Sequence, residues 1–251
     1  MGAKSNRNTL SGSTAMQNNE TPELVYELSR AIGEPQVKFD NMTRLLYSTD
    51  ASNYQITPVG VTYPRTSDDV VAIHELAHRY RIPVLPRGAG TSLAGQTVGH
   101  AIVMDFSRHL RRVRAVNAET KTVTVESGVV LQGLNNQLAP LNLKYGPDPA
   151  TADRCTFGGM IGNNSTGTHS ILYGMTADHI KRLEVVFGDG EKLWLDNGAV
   201  RLTNLRENIR HLALRHKDEI LKRYPQTWRS VAGYALNKID PDEVNLNWFT
   251  S

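Results

Sequence analysis

The chain has 251 residues, of which 39% are hydrophobic and 21% charged, with a formal net charge of +3 and a pI near 9.0. This composition is ordinary for a globular protein of one large domain or two small ones, and the mild positive charge does not indicate nucleic-acid binding. The single cysteine, Cys155, predicts no intramolecular disulfide and no iron–sulfur cluster of the chain's own. The sequence has no apolar run of ~20 residues and no hydrophobic signal core, so we expect a cytoplasmic protein without an integral membrane segment.

The first part of the chain reads as helices alternating with strands. Residues 1–20 are rich in Ser, Asn and Thr, which predicts a disordered tail, and Pro22 and Gly33 favour a helix over 21–31. The next predicted elements are a short helix over 41–46, a strand over 59–63, a helix over 67–80, a strand over 84–85 and a buried strand over 101–106. Strand, helix and strand thus follow one another as in a βαβ unit.

The second part predicts hairpins and helices. The predicted elements are a hairpin of 113–117 with 122–126, a helix over 129–138, a hairpin of 180–187 with 191–195 and a helix over 205–222, whereas 232–251 shows no clear element. The sequence therefore indicates an α/β or α+β fold in two parts.

Two glycine-rich segments are the most informative motifs. The first is Pro86-Arg87-Gly88-Ala89-Gly90-Thr91-Ser92-Leu93-Ala94-Gly95-Gln96, and the second extends from Gly146 to Gly174. Glycine allows positive φ and close approach of the backbone to a ligand, and successive N–H groups can converge on an anion. Two such loops suggest an extended ligand with a diphosphate, such as a dinucleotide.

The common nucleotide motifs do not match these segments. Gly88 and Gly90 fit the dinucleotide pattern G-x-G-x-x-G, but Leu93 stands where the third glycine belongs. No Gly-Lys-Ser/Thr follows either segment. Taken alone, the first segment could also be a tight surface turn.

The stretch Tyr47-Ser48-Thr49-Asp50-Ala51-Ser52, together with both glycine-rich segments, resembles the FAD-linked oxidases and dehydrogenases of the vanillyl-alcohol oxidase / p-cresol methylhydroxylase type. Within that family it is most similar to D-lactate dehydrogenase and glycolate oxidase flavoprotein subunits. The resemblance implies an α+β fold, a PCMH-type FAD-binding domain of two α/β subdomains, 21–108 and 109–251, with the cofactor between them.

The resemblance also implies a set of FAD-contacting residues. The first segment would hold the diphosphate, with Gly88 to Ser92 as donors and Gln96 supporting the loop; the second would lie along the rest of FAD, and Ile180 would meet the adenine. The full predicted set is Arg87, Gly88, Ala89, Gly90, Thr91, Ser92, Gln96, Pro147, Asp148, Cys155, Thr156, Gly158, Gly159, Gly162, Asn163, Asn164, Gly167 and Ile180. The first loop has no histidine and His169 matches no attachment position, so non-covalent FAD is expected.

The implied activity is oxidation of a 2-hydroxy acid, with electrons passing from the substrate to the flavin. In such proteins the groups that bind the substrate lie largely in a C-terminal domain. The Gly-Ser/Thr-Glu-Gly-Thr-Leu motif that precedes it is not in this sequence. We therefore expect a truncated FAD-binding portion, incomplete for turnover, with no role assigned to Arg229 or Tyr234. An iron–sulfur electron-transfer partner is a further possibility, and an alcohol or aldonolactone substrate or a non-catalytic FAD-binding module are the alternatives.

One motif favours a different chemistry. His74-Glu75-Leu76-Ala77-His78 matches H-E-x-x-H, in which two histidines on one helix face bind zinc and the glutamate acts as a base. No third ligand follows at a recognised spacing, and Glu75 and Arg79 could instead form an i,i+4 pair. A zinc protease is therefore a remote alternative.

Overall fold

The computed structural model describes residues 20–195, 203–227, 229 and 236–239. Its helices and strands are α1 (Glu20–Ile32), β1 (Val37–Lys38), α2 (Asn41–Leu46), β2 (Gly60–Thr62), α3 (Ser67–Arg79), β3 (Val84–Arg87), β4 (Ile102–Asp105), β5 (Val113–Asn117), β6 (Thr122–Val125), α4 (Leu131–Leu138), α5 (Phe157–Gly162), α6 (Ser170–Tyr173), β7 (Leu183–Val186), β8 (Lys192–Leu195), α7 (Thr203–Arg215) and α8 (Lys217–Arg223). Among these residues, no helix has both the length and the apolar composition that crossing a bilayer requires.

The first part of the chain forms a four-stranded sheet in the order β1-β2-β4-β3. Strand β4 runs parallel to both β2 and β3, whereas β1 is antiparallel to β2. All four residues of β4 are buried, as expected for the central strand of a parallel arrangement. The predicted βαβ unit is therefore confirmed, and it directs the end of β3 into the first glycine-rich loop.

Helices α1 and α3 pack against each other beside this sheet. Their apolar faces meet β4 in one buried cluster that includes Leu24, Leu28, Ile73, Ile102 and Met104. Thr66 begins α3 by accepting a hydrogen bond from the Asp69 N–H at 3.1 Å, one residue before the predicted start. The helix that leads into the first loop is thus fixed by a cap at one end and by the core along its length.

The second part forms two antiparallel hairpins, β5-β6 and β7-β8, as the sequence predicts. A separate cluster joins α4 to the start of α5 through Leu131, Leu134, Phe157 and Met160. A third, small cluster lies under the second hairpin and includes Leu193 and Leu195.

Several predicted boundaries differ from the structure. Residues 1–19 of the predicted tail lie outside the described residues, and α1 begins at Glu20. The helix predicted over 129–138 begins only at Leu131, because Val130 pairs with Thr156 in an isolated β-bridge. The helix predicted over 205–222 is two helices separated by His216, whose φ of −108° and ψ of 13° are not helical.

Candidate functional site

A cleft of about 290 Å³ lies between the two glycine-rich segments. One wall is the first loop, from Gly88 to Thr97; the other consists of residues from Thr151 to Ser165, including part of α5. The residues that line it are Gly88, Ala89, Gly90, Thr91, Ser92, Leu93, Ala94, Gln96, Thr97, Thr151, Cys155, Thr156, Gly159, Met160, Asn163 and Ser165. The volume is at the small end of the range for ligand sites and suits one portion of a long ligand.

The two walls touch where Gly88 meets Thr156. A Cβ atom placed on Gly88 would lie 2.2 Å from the Thr156 Oγ1 atom, so only glycine allows this approach. Thr156 is 2% exposed and caps α5, because its hydroxyl accepts a hydrogen bond from the Gly159 N–H. Glycine at position 88 therefore sets the separation of the two walls.

The segment 127–130 positions the second wall. The Gly158 N–H donates to the Ser127 carbonyl at 2.7 Å, and the Phe157 N–H donates to the Val129 carbonyl at 3.0 Å. A Cβ on Gly158 would lie 2.9 Å from the Ser127 Cβ. The glycine at 158 thus lets α5 start directly against this segment.

The cleft is polar without being charged. None of the described residues that line it has a charged side chain, although six of them are Thr or Ser and carry hydroxyl groups. The Ser92 hydroxyl donates to Gln96 Oε1 at 2.7 Å and accepts the Ala94 N–H at 3.3 Å. An anion in this cleft would be held by neutral donors, as in backbone nests.

Cys155 lies beside these donors as a buried thiol, 6% exposed. Burial raises its pKa, partly offset by a hydrogen bond with Thr151. A protonated thiol is a poor nucleophile at neutral pH, so Cys155 acts here as an apolar lining group.

Ten of the residues predicted from the family resemblance line the cleft: Gly88, Ala89, Gly90, Thr91, Ser92, Gln96, Cys155, Thr156, Gly159 and Asn163. The other eight lie outside its lining: Arg87, Pro147, Asp148, Gly158, Gly162, Asn164, Gly167 and Ile180. The lining residues that the prediction omitted are Leu93, Ala94, Thr97, Thr151, Met160 and Ser165. Three of these fall within or next to the first glycine-rich segment, so their position in the sequence could have predicted that they line the cleft.

The predicted residues outside the lining have identifiable contacts. Asn164 is buried, accepts the Ala177 N–H at 2.9 Å and has a φ of +43°, so it shapes the second loop from inside. The Gly167 backbone packs on the Asp148 carbonyl, where a Cβ would lie 2.1 Å from the oxygen. Ile180 packs into the cluster under the second hairpin. Whether any of them contacts a cofactor remains a prediction.

Asp148 also forms a pair with His169. The His169 N–H donates to Asp148 Oδ1 at 2.8 Å, and the His169 Nδ1 atom lies against Oδ2. The hydrogen bond from His169 holds the pKa of Asp148 below its usual range. His169 therefore bridges two parts of the second glycine-rich segment.

The H-E-x-x-H motif lies on α3, away from the cleft. Within the part of the chain that the structure describes, no group of three or more His, Cys, Asp or Glu side chains could hold a metal. Arg79 donates to Glu27 at 2.8 Å, so the predicted Glu75–Arg79 pair is not formed. Glu75 lies against Gly190, where a Cβ would be 2.6 Å from its Cγ. The motif therefore belongs to the packing of α3 on the second hairpin.

His74 makes this packing sensitive to pH. Burial lowers its pKa, and the nearby charge of Asp189 only partly opposes the shift. The folded state thus favours neutral His74, so this contribution to stability is present above the unfolded pKa of ~6.5 and is lost as pH falls through the folded pKa.

We expect thermal unfolding midpoints to decrease less between pH 7.5 and 5.5 in His74→Gln than in the wild type. An equal decrease in both proteins would contradict this assignment. His109, whose pKa burial also lowers, is present in both proteins and therefore contributes equally to both decreases.

Comparison with known proteins assigns the fold. Residues 58–196 match the family model described as an FAD binding domain. The chain belongs to this FAD-binding domain family. The matched range contains both walls of the cleft, so FAD is the cofactor that the family assigns to this domain.

This FAD-binding domain has longer relatives. It is 35% identical over 218 residues to a D-2-hydroxyglutarate dehydrogenase of Pantoea ananatis, covering 80% of the chain and 21% of the relative. It is 33% identical over 174 residues to the glycolate oxidase subunit GlcD of Bacillus subtilis, covering 68% of the chain and 37% of the relative. The chain thus spans about a fifth of the first relative's length.

The solved structure of p-cresol methylhydroxylase with substrate bound superimposes with a TM-score of 0.63 at 16% identity, covering 74% of this chain and 37% of that one. At this identity the similarity concerns the fold alone. It confirms the predicted α+β, PCMH-type architecture of the FAD-binding domain.

Proposed function

We propose that this chain is the FAD-binding part of a flavoenzyme that oxidises a 2-hydroxy acid of the D-2-hydroxyglutarate, glycolate or D-lactate type. The observation that carries the proposal is the 35% identity over 218 residues to D-2-hydroxyglutarate dehydrogenase. Glycolate oxidase, the other relative described above, is also named for a 2-hydroxy acid. The substrate class therefore follows from what the names of both relatives have in common.

The FAD diphosphate is proposed to lie along Gly88 to Ser92. The uncharged donors of the first loop support this placement, together with the close contact of Gly88 and Thr156. The second wall, with Gly159 and Asn163, would contact the remainder of the cofactor. FAD, when bound, supplies the redox chemistry by accepting a hydride equivalent, while these residues bind and orient it. Non-covalent attachment is supported by the raised pKa of Cys155 and by the absence of histidine from the described lining residues.

The division into subdomains 21–108 and 109–251 is also a proposal. Separate clusters support it: the buried members of the first cluster lie within 24–104 except for Leu110, which is two residues beyond the boundary, whereas those of the second lie within 129–160. A cytoplasmic location, an additional C-terminal substrate domain and an iron–sulfur partner remain predictions from the sequence.

The test is a visible absorption spectrum of the purified chain after incubation with FAD and desalting. We expect a retained flavin band. Anaerobic addition of D-2-hydroxyglutarate, glycolate or D-lactate to the chain, or to a longer form that contains the rest of the enzyme, should then bleach that band. Bleaching by a primary alcohol or an aldonolactone instead would replace the proposed substrate class. A folded chain and a folded longer form that both remain colourless would refute the assignment.

A further inference from the structure

The first loop depends on residues outside it for its shape. No helix or strand is present between β3 and Thr97, and Gly90 and Gly95 have left-handed φ values of +67° and +72°. A loop without a backbone ladder keeps one conformation only when other groups satisfy its polar atoms. Here those groups come from Arg87 and from residues 47–54, which we name the support segment.

Arg87 links the two ends of the first loop by hydrogen bonds. Its Nη1 atom donates to the Tyr47 carbonyl at 3.2 Å and to the Thr97 carbonyl at 3.1 Å, and its Nη2 atom donates to the Thr49 carbonyl at 2.8 Å. The side chain thereby joins the first and last residues of the loop to the support segment. Because the planar fork of arginine can reach three acceptors at once, lysine cannot reproduce this arrangement.

Asp50 and Ala51 hold the loop from the other side. Asp50 Oδ2 accepts the Thr97 hydroxyl at 2.9 Å and the Thr97 N–H at 3.3 Å, and the Ala51 N–H donates to the Gly90 carbonyl at 3.0 Å. Tyr54 packs beneath Gly95, where a Cβ would lie 2.5 Å from its ring. The loop is therefore held at its middle and at its end.

The support segment is itself anchored to the sheet. The Tyr47 hydroxyl donates to Asp105 Oδ2, at the end of β4, at 2.6 Å. The Tyr47 ring also meets the Tyr63 ring edge-on, with centroids 6.2 Å apart. Burial, followed by the hydrogen bond to Asp105, raises the pKa of Tyr47 far above its usual value, so the hydroxyl remains a donor. The support segment thus connects the first loop to the central strand, β4.

Among the described residues no carboxylate forms a salt bridge with Arg87: its hydrogen bonds go to carbonyl oxygens, and its guanidinium carbon lies 5.1 Å from the centroid of the Tyr47 ring. A Cβ on Gly90 would lie 2.7 Å from Nη2, which places the guanidinium directly behind the loop backbone. A positive charge behind neutral N–H donors favours an anion on their other side.

We propose that Arg87 and Asp50 are positioning residues that hold the first loop in the conformation that binds the FAD diphosphate, and that Arg87 also adds positive charge behind it. This inference rests on the proposed function, because it places the diphosphate at the first loop. It assigns Arg87 to the support of the cofactor site and gives the 47–52 motif a role.

The experiment compares the purified chain with Arg87→Met, Arg87→Lys and Asp50→Ala. The control is Arg79→Met, which removes an exposed arginine at the end of α3 that pairs with Glu27 on α1. Three quantities are measured: FAD affinity, the thermal midpoint without FAD, and hydrogen–deuterium exchange of amides 88–97 without FAD. The exchange measurement reports on the loop whether or not cofactor is bound.

We expect Arg87→Met and Asp50→Ala to speed exchange in the loop and to weaken FAD binding by about tenfold or more, with a nearly unchanged thermal midpoint. Arg87→Lys should be intermediate, because it keeps the charge but loses the fork. The double variant Arg87→Met/Asp50→Ala should lose less than the product of the single losses, since both residues act on one loop.

Unchanged loop exchange and unchanged affinity in both single variants would overturn the inference. A parallel loss of thermal midpoint and of protection throughout the chain would also overturn it, because the residues would then be general stabilisers. If neither the wild-type chain nor the longer form binds FAD, the proposed function fails, and loop exchange alone then decides whether Arg87 and Asp50 organise the loop.

Discussion

Replacing Gly88 with alanine should weaken FAD binding by about tenfold or more, because the added methyl group forces the walls of the cleft apart. The Cβ of alanine would lie 2.2 Å from Thr156 Oγ1. Thr156 can relieve this clash only by moving the hydroxyl that caps α5, which would disturb the second wall as well. The measurement is a titration of the purified chain with FAD, with far-UV circular dichroism as evidence of folding.

Gly188→Ala is the matched control, since a Cβ at Gly188 has no atom within 4 Å. The double variant Gly88→Ala/Thr156→Ala removes the atom that the new methyl group meets. If the clash is the cause, the double variant should bind FAD more tightly than the sum of the two single losses in binding free energy would predict. A folded Gly88→Ala chain with wild-type affinity would show that FAD does not bind between these walls.

Gly128→Ala should give the largest loss of stability, about 3 kcal/mol, because its methyl group would overlap two backbone carbonyls that cannot rotate away. The new Cβ would lie 2.0 Å from the Phe106 oxygen and 2.6 Å from the Leu110 oxygen. The Gly128 N–H also donates to the Leu110 carbonyl at 2.7 Å, so the two segments cannot separate without losing that bond. Urea unfolding measures the change.

The control for this variant is Gly133→Ala on α4. Gly133 is exposed and a Cβ there has open space around it. Alanine should stabilise the helix by up to ~1 kcal/mol, because glycine loses more backbone entropy on folding. Similar unfolding midpoints for Gly128→Ala and the wild type would mean that the 106–110 and 126–128 segments do not pack as described.

The effects of these two glycines are connected through the fold. Gly128 sits against the segment that follows β4, and the adjacent residues 127–130 hold the beginning of α5. Thr156, which meets Gly88 in the cleft, pairs with Val130 in this same region. A displacement at Gly128 should therefore reach the cleft, and we expect Gly128→Ala to weaken FAD binding in addition to lowering stability.

The short helix α5 shows where sequence patterns were insufficient. Its six residues include Gly158, Gly159 and Gly162, and glycine has poor helix propensity. The helix forms because Thr156 caps it and because Phe157 and Met160 are buried against α4. The cap is local, but the burial of Phe157 and Met160 depends on α4, which no local pattern shows, so the segment read as a loop.

Arg87 illustrates the same limit in the site itself. Its place in a glycine-rich segment and the family resemblance predicted a contact with FAD. In the structure its guanidinium donates hydrogen bonds to the carbonyls of Tyr47, Thr49 and Thr97, up to 40 residues away. A sequence pattern gives the residue type and its neighbours along the chain, but not the acceptors that come from another element.

The sequence alone determined the strands and helices whose hydrophobic period is regular, the two glycine-rich loops and the FAD-binding family, because these depend on local spacing and on ordered motifs. The tertiary structure decided which loop residues line the cleft, that the described lining has no charge, and that the H-E-x-x-H motif packs against a hairpin. These features depend on contacts between segments that lie far apart in the chain. Only the folded backbone brings such segments together.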